Sequence, residues 1–171
     1  MKLKNTHSEL SEIKNQVTKA KHIGIITHKN ADGDALGSSM AMYLMLKSMN
    51  IKVSVFTPDS YPDFLSWMRC NEEIIVADQN KNQALATLKQ CDVLLLQDFN
   101  ALNRIAWLGD HVKQHSAIKI LIDHHPNPES HFDFVISEPK MSSTAELLYH
   151  VFTAWEWSHQ IDRDIAEAIY C

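Results

Sequence analysis

The chain contains few cysteines, and they are not arranged as metal ligands or as disulfide pairs. Its three cysteines, Cys70, Cys91 and Cys171, are dispersed over 171 residues and form no Cys-x-x-Cys pair. An odd and scattered set of this kind argues against a disulfide framework and against a structural zinc site. We therefore expect reduced thiols, as in a cytosolic protein.

The sequence also lacks a long apolar run and a basic cluster. Residues 1–10, MKLKNTHSEL, contain no apolar signal-peptide core, and no later stretch approaches the roughly 20 apolar residues that cross a bilayer. The formal net charge of −5 disfavours binding to a long nucleic-acid duplex. We predict a cytoplasmic protein without a membrane partner. A small phosphate compound or a very short oligonucleotide is still allowed as a partner if metal ions carry the positive charge.

Several common enzyme motifs are absent as well. The sequence has no Walker A loop, no GxGxxG turn after a strand, no GxSxG nucleophile elbow and no HExxH helix. It has no internal repeat, low-complexity stretch or linker. With 45% hydrophobic and 22% charged residues, its composition is that of an ordinary globular protein. We expect one domain with a sizeable core.

The most informative stretch is residues 23–50, which combines a strand, a charged loop and a helix. Residues 23–27 are apolar and rich in β-branched side chains, as in a strand buried on both faces. Residues 35–49 are apolar around most of a helix circumference and end at Asn50, which suits a left-handed helix end. The loop between them carries one imidazole and two carboxylates: His28, Asp32 and Asp34. Such a loop lies where open α/β folds bind ligands, at the carboxyl edge of the sheet.

This loop has two interpretations. Asp32 and Asp34 repel each other at this spacing unless a cation compensates them, and imidazole with carboxylates suits a divalent metal such as Mn2+. Alternatively, the two acidic residues cap the following helix, because carboxylates favour a helix N-terminus. His28 has no explanation in the second interpretation. Both remain open from the loop alone.

Predicted strands and helices alternate along the rest of the chain. The other strands are apolar or alternating runs at residues 51–57, 74–77, 92–97, 118–122 and 132–136. The other helices are predicted at residues 6–20, 61–68, 83–90 and 100–108, and after the helix-capping residues Ser143 and Asp162. We expect Gly109 to end the helix at 100–108. The alternation predicts an α/β fold, a doubly wound and mainly parallel sheet with helices on both faces.

Acidic and imidazole side chains follow three of these strands. The first strand leads to the loop described above, another ends in Asp98, and a third ends in Asp123, His124 and His125. Parallel strands bring these ends to one edge of the sheet. The four carboxylates carry four negative charges, which two divalent ions would cancel. Two-metal sites hold such ions about 3.5–4 Å apart. A site neutralised in this way accepts an anionic phosphate.

These motifs resemble those of the DHH phosphoesterase superfamily. The similarity rests on HKNADGDALGS at residues 28–38, LLLQDFNALNR at 94–104 and LIDHHP at 121–126, and it continues through SSTAELLY at 142–149. The first motif is most similar to that of the group that contains oligoribonucleases and phosphoadenosine-phosphate phosphatases (nanoRNases). The resemblance implies that residues 1–171 are a DHH catalytic domain.

The resemblance also implies a ligand set for two Mn2+ ions in the complete enzyme, with Mg2+ as an alternative metal. His28 and Asp32 would bind one ion. Asp34 and His124 would bind the other. Asp98 would bridge the two.

Catalytic roles implied by the resemblance fall on Asp98, Asp123 and His125. Asp123 would orient the site, and His125 would face the scissile phosphate as a hydrogen-bond donor or acid. The candidate substrate-binding residues are cationic side chains or helix N-terminal groups: His125, Arg104, Ser143 and Thr144. An ordinary surface cation explains Arg104 equally well, and helix capping explains Ser143 and Thr144 equally well.

The implied activity is Mn-dependent hydrolysis of short oligoribonucleotides and of 3'-phosphoadenosine 5'-phosphate. Linear or cyclic dinucleotides and pyrophosphate are alternative substrates, and a catalytically silent metal- or nucleotide-binding fragment is an alternative of another class. Family members continue into a fourth, Asp-bearing motif and a smaller C-terminal substrate-binding domain. Because this sequence stops at residue 171, we expect a fragment that lacks both. A homodimer is compatible with these observations.

Overall fold

A single parallel sheet of six strands forms the centre of the computed structural model, which describes residues 3–171. The strands are β1 Ile23–Ile26, β2 Val53–Thr57, β3 Ile75–Val76, β4 Val93–Gln97, β5 Ile118–Asp123 and β6 Phe134–Ser137. They are arranged in the order β3-β2-β1-β4-β5-β6, and every neighbouring pair is parallel. The predicted doubly wound α/β fold is confirmed, with a sheet that is parallel throughout.

Helices cover both faces of this sheet. They are α1 His7–Lys19, α2 Gly33–Ser48, α3 Lys81–Leu88, α4 Leu108–Gln114, α5 Thr144–Ala154 and α6 Arg163–Ile169. The larger core contains residues of α1, α2, α5 and α6, and the smaller core contains residues of α3 and α4. Alternate residues of β4 enter the two cores, with Leu95 in the larger one and Leu94 and Leu96 in the smaller one. This explains why the buried strands are apolar throughout.

The strand order reverses between β1 and β4, and this reversal determines where a crevice forms between the loops. The chain winds outward from β1 through β2 to β3 on one side, and from β4 through β5 to β6 on the other. The loops that leave the carboxyl ends of β1 and β4 therefore diverge and leave a crevice between them. Open α/β sheets bind their ligands at this kind of switch point.

Two predicted helices differ from those in the structure. Residues 100–108 do not form one α-helix: a 3₁₀ helix covers Leu102–Ile105, and α4 begins at Leu108 and includes Gly109. The prediction that Gly109 ends a helix is therefore wrong. A Cβ atom on Gly109 would lie 2.5 Å from the Leu102 carbonyl oxygen, so this glycine permits a close approach of the backbone. The helix predicted at 61–68 is reduced to a 3₁₀ turn at Asp63–Leu65, directly after Pro62.

Helix α2 is the most deeply buried helix, with every residue from Ala35 to Leu46 buried. It ends as predicted, because Asn50, which follows the C-cap residue Met49, adopts a left-handed conformation (φ 59°). Helix α2 packs on α6. The approach at Gly37 is so close that a Cβ atom there would lie 2.5 Å from the Ala168 carbonyl oxygen. In the part of the chain that the structure describes, no helix is both long and apolar enough to cross a membrane.

We predict that Gly37→Ala destabilises the protein although alanine is the better helix former. Replacing glycine by alanine inside a helix stabilises the helix by about 1 kcal/mol. Forcing a methyl group against a backbone carbonyl in a packed core costs about 1–3 kcal/mol or more. Urea unfolding measures the difference. Gly24→Ala is the comparison, because its new methyl group would meet side-chain atoms of Leu94 (2.9 Å) and Cys91 (3.1 Å) rather than a backbone carbonyl. A Gly37→Ala protein as stable as wild type would contradict the close packing of α2 on α6.

Candidate metal centre

Three neighbouring strands deliver the predicted polar side chains to one edge of the sheet. His28 lies two residues beyond β1, Asp98 follows β4 directly, and Asp123 is the last residue of β5. Because β1 pairs with β4 and β4 pairs with β5, these three ends are adjacent. The residues His124 and His125 continue from β5 into the same crevice. The structure therefore brings together groups that lie up to 97 positions apart (from His28 to His125).

Backbone and side-chain hydrogen bonds tie the loops of this edge together. The Lys29 N–H donates to the Arg104 carbonyl oxygen at 2.8 Å, which joins the loop after β1 to the segment after β4. The Leu102 N–H donates to the Glu129 carboxylate at 3.0 Å, and the Glu129 N–H donates to the Asn100 carbonyl oxygen at 2.9 Å. These bonds hold the loop after β4 against the loop after β5. The crevice is therefore built from mutually braced loops.

The first group of ligand atoms surrounds the side chain of His28. Its Nδ1 lies 2.8 Å from the Lys29 carbonyl oxygen. A carbonyl only accepts hydrogen bonds, so Nδ1 carries a hydrogen and Nε2 is left to face the crevice. This Nε2 lies 3.5 Å from Asp98 Oδ2 and 4.0 Å from Asp32 Oδ1. Bonds to a metal of about 2.0–2.2 Å place neighbouring ligand atoms roughly 3–4 Å apart, which matches this group.

His124 is arranged in the same way on the other side of Asp98. Its Nδ1 lies 3.2 Å from the Met141 carbonyl oxygen, which orients the ring and leaves Nε2 facing the crevice. This Nε2 lies 3.6 Å from Asp34 Oδ2 and 3.7 Å from Asp98 Oδ1. The two oxygens of Asp98 thus face different histidines. Each imidazole therefore has two carboxylates near its Nε2, and the carboxylate of Asp98 belongs to both sets.

Burial and mutual repulsion shift the pKa values of these groups. Burial raises the pKa of Asp34 to about 6, and the negative charge of Asp98 adds to this effect. Burial also acts to raise the pKa of Asp98, but hydrogen bonds from His28 and Thr144 outweigh it and hold that pKa below its usual value. For His28, burial acts to lower the pKa, and the Asp98 carboxylate and the Lys29 carbonyl outweigh it and raise it. Positive charge is therefore favoured between His28 and Asp98.

These donors fit a divalent metal ion. Nitrogen and carboxylate ligands of this kind suit Mn2+ and related ions, and no cysteine belongs to either set. At this edge of the sheet there are two groups of three residues whose ligand atoms all lie within 4.8 Å of one another inside the group. One is formed by His28, Asp32 and Asp98, and the other by Asp98, His124 and His125. In each set, an imidazole nitrogen and carboxylate oxygens lie close together and repel one another. Without a metal ion, only a bound proton can relieve this repulsion. The crevice can therefore hold cations around Asp98.

His125 belongs to the second group by distance, but its Nδ1 has a closer partner. That nitrogen lies 2.7 Å from Asp123 Oδ1 and 3.8 Å from Asp98 Oδ1. Asp123 is completely buried, and its Oδ2 has no hydrogen-bond partner among residues 3–171. The Asp123 carboxylate orients the His125 ring, whose side chain is 41% exposed. This leaves the other ring nitrogen, Nε2, free for a ligand.

The helix-capping interpretation holds for one of the two acidic loop residues. Asp32 caps α2, because its Oδ1 accepts a hydrogen bond from the Ala35 N–H at 3.0 Å. The same oxygen faces His28, so capping and metal binding are compatible. Asp34 does not cap α2: its two oxygens accept from the N–H groups of Thr144 and Ala145, both at 2.8 Å. The N-terminus of α5 therefore holds Asp34.

The three remaining candidate residues lie in different surroundings. Arg104 is exposed on the 3₁₀ helix after β4, with its carbonyl group bonded to Lys29 as described. The Ser143 hydroxyl caps α5 by accepting from the Glu146 N–H at 2.9 Å. Thr144 is buried, and its hydroxyl donates to Asp98 Oδ1 at 2.8 Å. Thr144 thus contacts the carboxylates rather than lying open to a substrate.

Two groups that shape this site carry no signal in the sequence. The carbonyl oxygens of Lys29 and Met141 fix the rings of His28 and His124. Any residue supplies a carbonyl group, so only the fold reveals them. Ser143 predicts a helix start at this position, but nothing in the sequence indicates that this helix start faces Asp34.

Comparisons with known proteins agree with this geometry. The model of the DHH family, N-terminal domain, matches residues 22–171. The crystal structure of an exopolyphosphatase-related protein from Bacteroides fragilis superposes with a TM-score of 0.96 at 34% sequence identity, over 99% of this chain and 50% of that one. This chain therefore spans about half the length of that protein. An alpha-glucosyltransferase in complex with UDP and DNA, at 14% identity and a TM-score of 0.50, shares only the general fold over 68% of this chain and 37% of that one. The family match and the B. fragilis structure establish that the chain belongs to the DHH family.

Proposed function

We propose that this chain is the catalytic domain of a Mn-dependent phosphoesterase that hydrolyses short oligoribonucleotides and 3'-phosphoadenosine 5'-phosphate. The observation that carries the proposal is the position of Asp98, whose two oxygens face His28 Nε2 at 3.5 Å and His124 Nε2 at 3.7 Å. A carboxylate between two ligand sets is the arrangement that two-metal phosphoesterases require. Membership of the DHH family supports phosphoester hydrolysis as the reaction class.

The ligands divide into two sets that share Asp98. His28 and Asp32 complete one set, and Asp34 and His124 complete the other. With both ions bound, the centre supplies an activated water and positive charge for the phosphoryl transition state. Mn2+ is the proposed metal because the sets mix imidazole with carboxylate, and Mg2+, which prefers oxygen ligands, is the alternative.

The residues of the chain have separate tasks in this proposal. Asp98 is buried and ionised, which concentrates negative charge at the centre of the crevice. Asp123 accepts the Nδ1–H of His125 and so holds that ring with Nε2 available to the substrate. We assign to the doubly protonated His125 ring the donation, from Nε2, of a hydrogen bond or of a proton to the substrate phosphate or leaving group. Arg104 is the candidate for contact with a second phosphate, because its carbonyl oxygen accepts the Lys29 N–H of the loop after β1.

The net charge of the chain indicates the size of the substrate that it can bind. The chain carries a net charge of −5 and has no basic run, so a long nucleic acid has no cationic path to follow. Short oligonucleotides and nucleoside bisphosphates need only the neutralised centre. The second candidate substrate is inorganic polyphosphate, because the similar B. fragilis protein is described as exopolyphosphatase-related. Dinucleotide second messengers and pyrophosphate are further alternatives with the same chemistry at the metal centre.

A panel assay with Mn2+ tests the proposal. The substrates are a diribonucleotide, 3'-phosphoadenosine 5'-phosphate, polyphosphate, a cyclic dinucleotide and bis-p-nitrophenyl phosphate. We expect release of mononucleotide from the diribonucleotide and of phosphate from 3'-phosphoadenosine 5'-phosphate. Faster release from polyphosphate would favour the second candidate. Binding of Mn2+ without hydrolysis of any substrate would contradict catalysis by this chain and leave a silent metal-binding module.

We predict that Asp98→Asn lowers the Mn2+ stoichiometry from two to at most one. Asparagine tolerates the left-handed backbone at this position (φ 64°), but its single amide oxygen is neutral and cannot bridge two ions. Isothermal titration calorimetry of the metal-free protein measures the stoichiometry, and circular dichroism checks that the variant is folded. Two ions bound with wild-type affinity would remove the bridging role of Asp98.

We predict that His125→Ala leaves both metal ions bound and lowers kcat by roughly 10²–10⁴-fold, the usual contribution of an acid–base group. The physical reason is that its Nδ1 is engaged with Asp123, so the ring acts on substrate through Nε2. Metal titration and steady-state kinetics are compared in the same preparation. Loss of one Mn2+ would instead identify His125 as a ligand.

Asp34 gives the metal-free protein a pH-dependent stability. Its pKa is about 6 in the folded chain against 3.8 for a free carboxyl, so the folded state binds the proton more tightly. Stability from this group is present below pH 4 and is lost as the pH rises through 6. We expect the metal-free wild type to lose roughly 1–3 kcal/mol of stability relative to Asp34→Asn between pH 4 and pH 7.

Urea unfolding in EDTA at several pH values measures this difference. The variant is the necessary reference, because burial lowers the pKa values of His22 and His115 and gives an opposite slope that both proteins share. A difference between the two proteins that is constant with pH would contradict the raised pKa of Asp34.

A further inference from the structure

Thr144, the first residue of α5, contacts two carboxylates of the metal centre at once. Its N–H donates to Asp34 Oδ2 at 2.8 Å, and its hydroxyl donates to Asp98 Oδ1 at 2.8 Å. The residue is fully buried, so these contacts do not compete with water. An ionised carboxylate only accepts hydrogen bonds, so the hydroxyl hydrogen must point at Asp98. Thr144 thus joins the first turn of α2 to the residue that follows β4.

Helix capping does not account for this hydroxyl. The cap of α5 is the preceding residue, Ser143, whose hydroxyl accepts from the Glu146 N–H. Glu146 completes the helix start by accepting from the Ser142 N–H and hydroxyl, both at 2.7 Å. The N-terminus of α5 is therefore satisfied without the Thr144 side chain. A valine of the same shape would fill the space equally well if packing were the only requirement.

We propose that Thr144 is a positioning residue that sets the orientation of the Asp98 carboxylate, and through it the spacing of the two metal ions. This inference rests on the proposed function, because it assigns a role toward the metal pair. The carboxylate of Asp98 can rotate about its terminal bond, a broad torsion that only partners can fix. The Thr144 hydroxyl occupies one lone pair of Oδ1 from the protein side. Oδ2 then points to His28, and the remaining lone pair of Oδ1 is directed to the His124 side.

The same residue aligns the second ligand set. The N–H groups of Thr144 and Ala145 hold both oxygens of Asp34, and Asp34 Oδ2 is the atom that faces His124. The first turn of α5 therefore orients two carboxylates. The Thr144 side chain orients Asp98, and the backbone N–H groups of Thr144 and Ala145 orient Asp34. Partners that orient metal ligands in this way typically contribute roughly 10–100-fold to metal affinity.

Three variants separate this role from a structural one. Thr144→Val keeps the shape and the N–H but removes the hydroxyl. Thr144→Ser keeps the hydroxyl, and Ser143→Ala removes a hydroxyl from the adjacent residue that only caps the helix. The measurements are Mn2+ titration of the metal-free protein, the electron paramagnetic resonance spectrum of the bound Mn2+ pair, and urea unfolding in EDTA. Thr144→Ala replaces Thr144→Val if the valine variant does not fold.

We expect Thr144→Val to weaken Mn2+ binding roughly 10–100-fold and to lose the spin-coupled spectrum of two ions sharing a carboxylate. Thr144→Ser should restore both. Ser143→Ala should lower the stability but retain the wild-type Mn2+ affinity and spectrum. Wild-type affinity and spectrum in folded Thr144→Val would overturn the inference and leave the proposed function intact. Failure of the wild type to bind a Mn2+ pair would overturn both.

Discussion

The structure depends on the burial of one charged group, the carboxylate of Asp98. It lies at the end of a central strand with 2% of its surface exposed, in a left-handed backbone conformation that is uncommon for a residue other than glycine. A carboxylate in this position is costly unless hydrogen-bond donors or cations surround it. The surrounding groups are His28, His124 and Thr144, and each is contributed by a different loop or helix. The crevice is organised to stabilise this one charge.

The fold explains why these partners converge. The sheet reverses its winding between β1 and β4, which opens the crevice beside Asp98. Helix α2 starts in this crevice, and the glycine at position 37 lets α6 pack against it. On the same face of the sheet, α5 directs its N-terminal N–H groups at Asp34. Since a helix N-terminus carries partial positive charge, it offsets some of the repulsion between Asp34 and Asp98. Fold and electrostatics are therefore linked at one edge of the sheet.

Much of this was predictable from the sequence, because apolar strand runs followed by acidic or imidazole residues are local patterns. Parallel strands then require Asp98 and His124 to meet, whatever their separation along the chain. The segment at 100–109 was not predictable, because Gly109 serves a close contact with Leu102 that has no local signature. The partners of the histidine rings were hidden for the same reason, since they are carbonyl oxygens. Thr144 was recognised as a helix-start residue, but its contact with Asp98 depends on tertiary packing.

The most direct test of the central claim is the anomalous scattering of manganese in crystals of this protein grown or soaked with Mn2+. If Asp98 is the shared ligand of a metal pair, two anomalous peaks will lie within bonding distance of its carboxylate, one beside His28 and the other beside His124. Peaks that lie away from Asp98, or a single ion that it does not bind, would contradict the account.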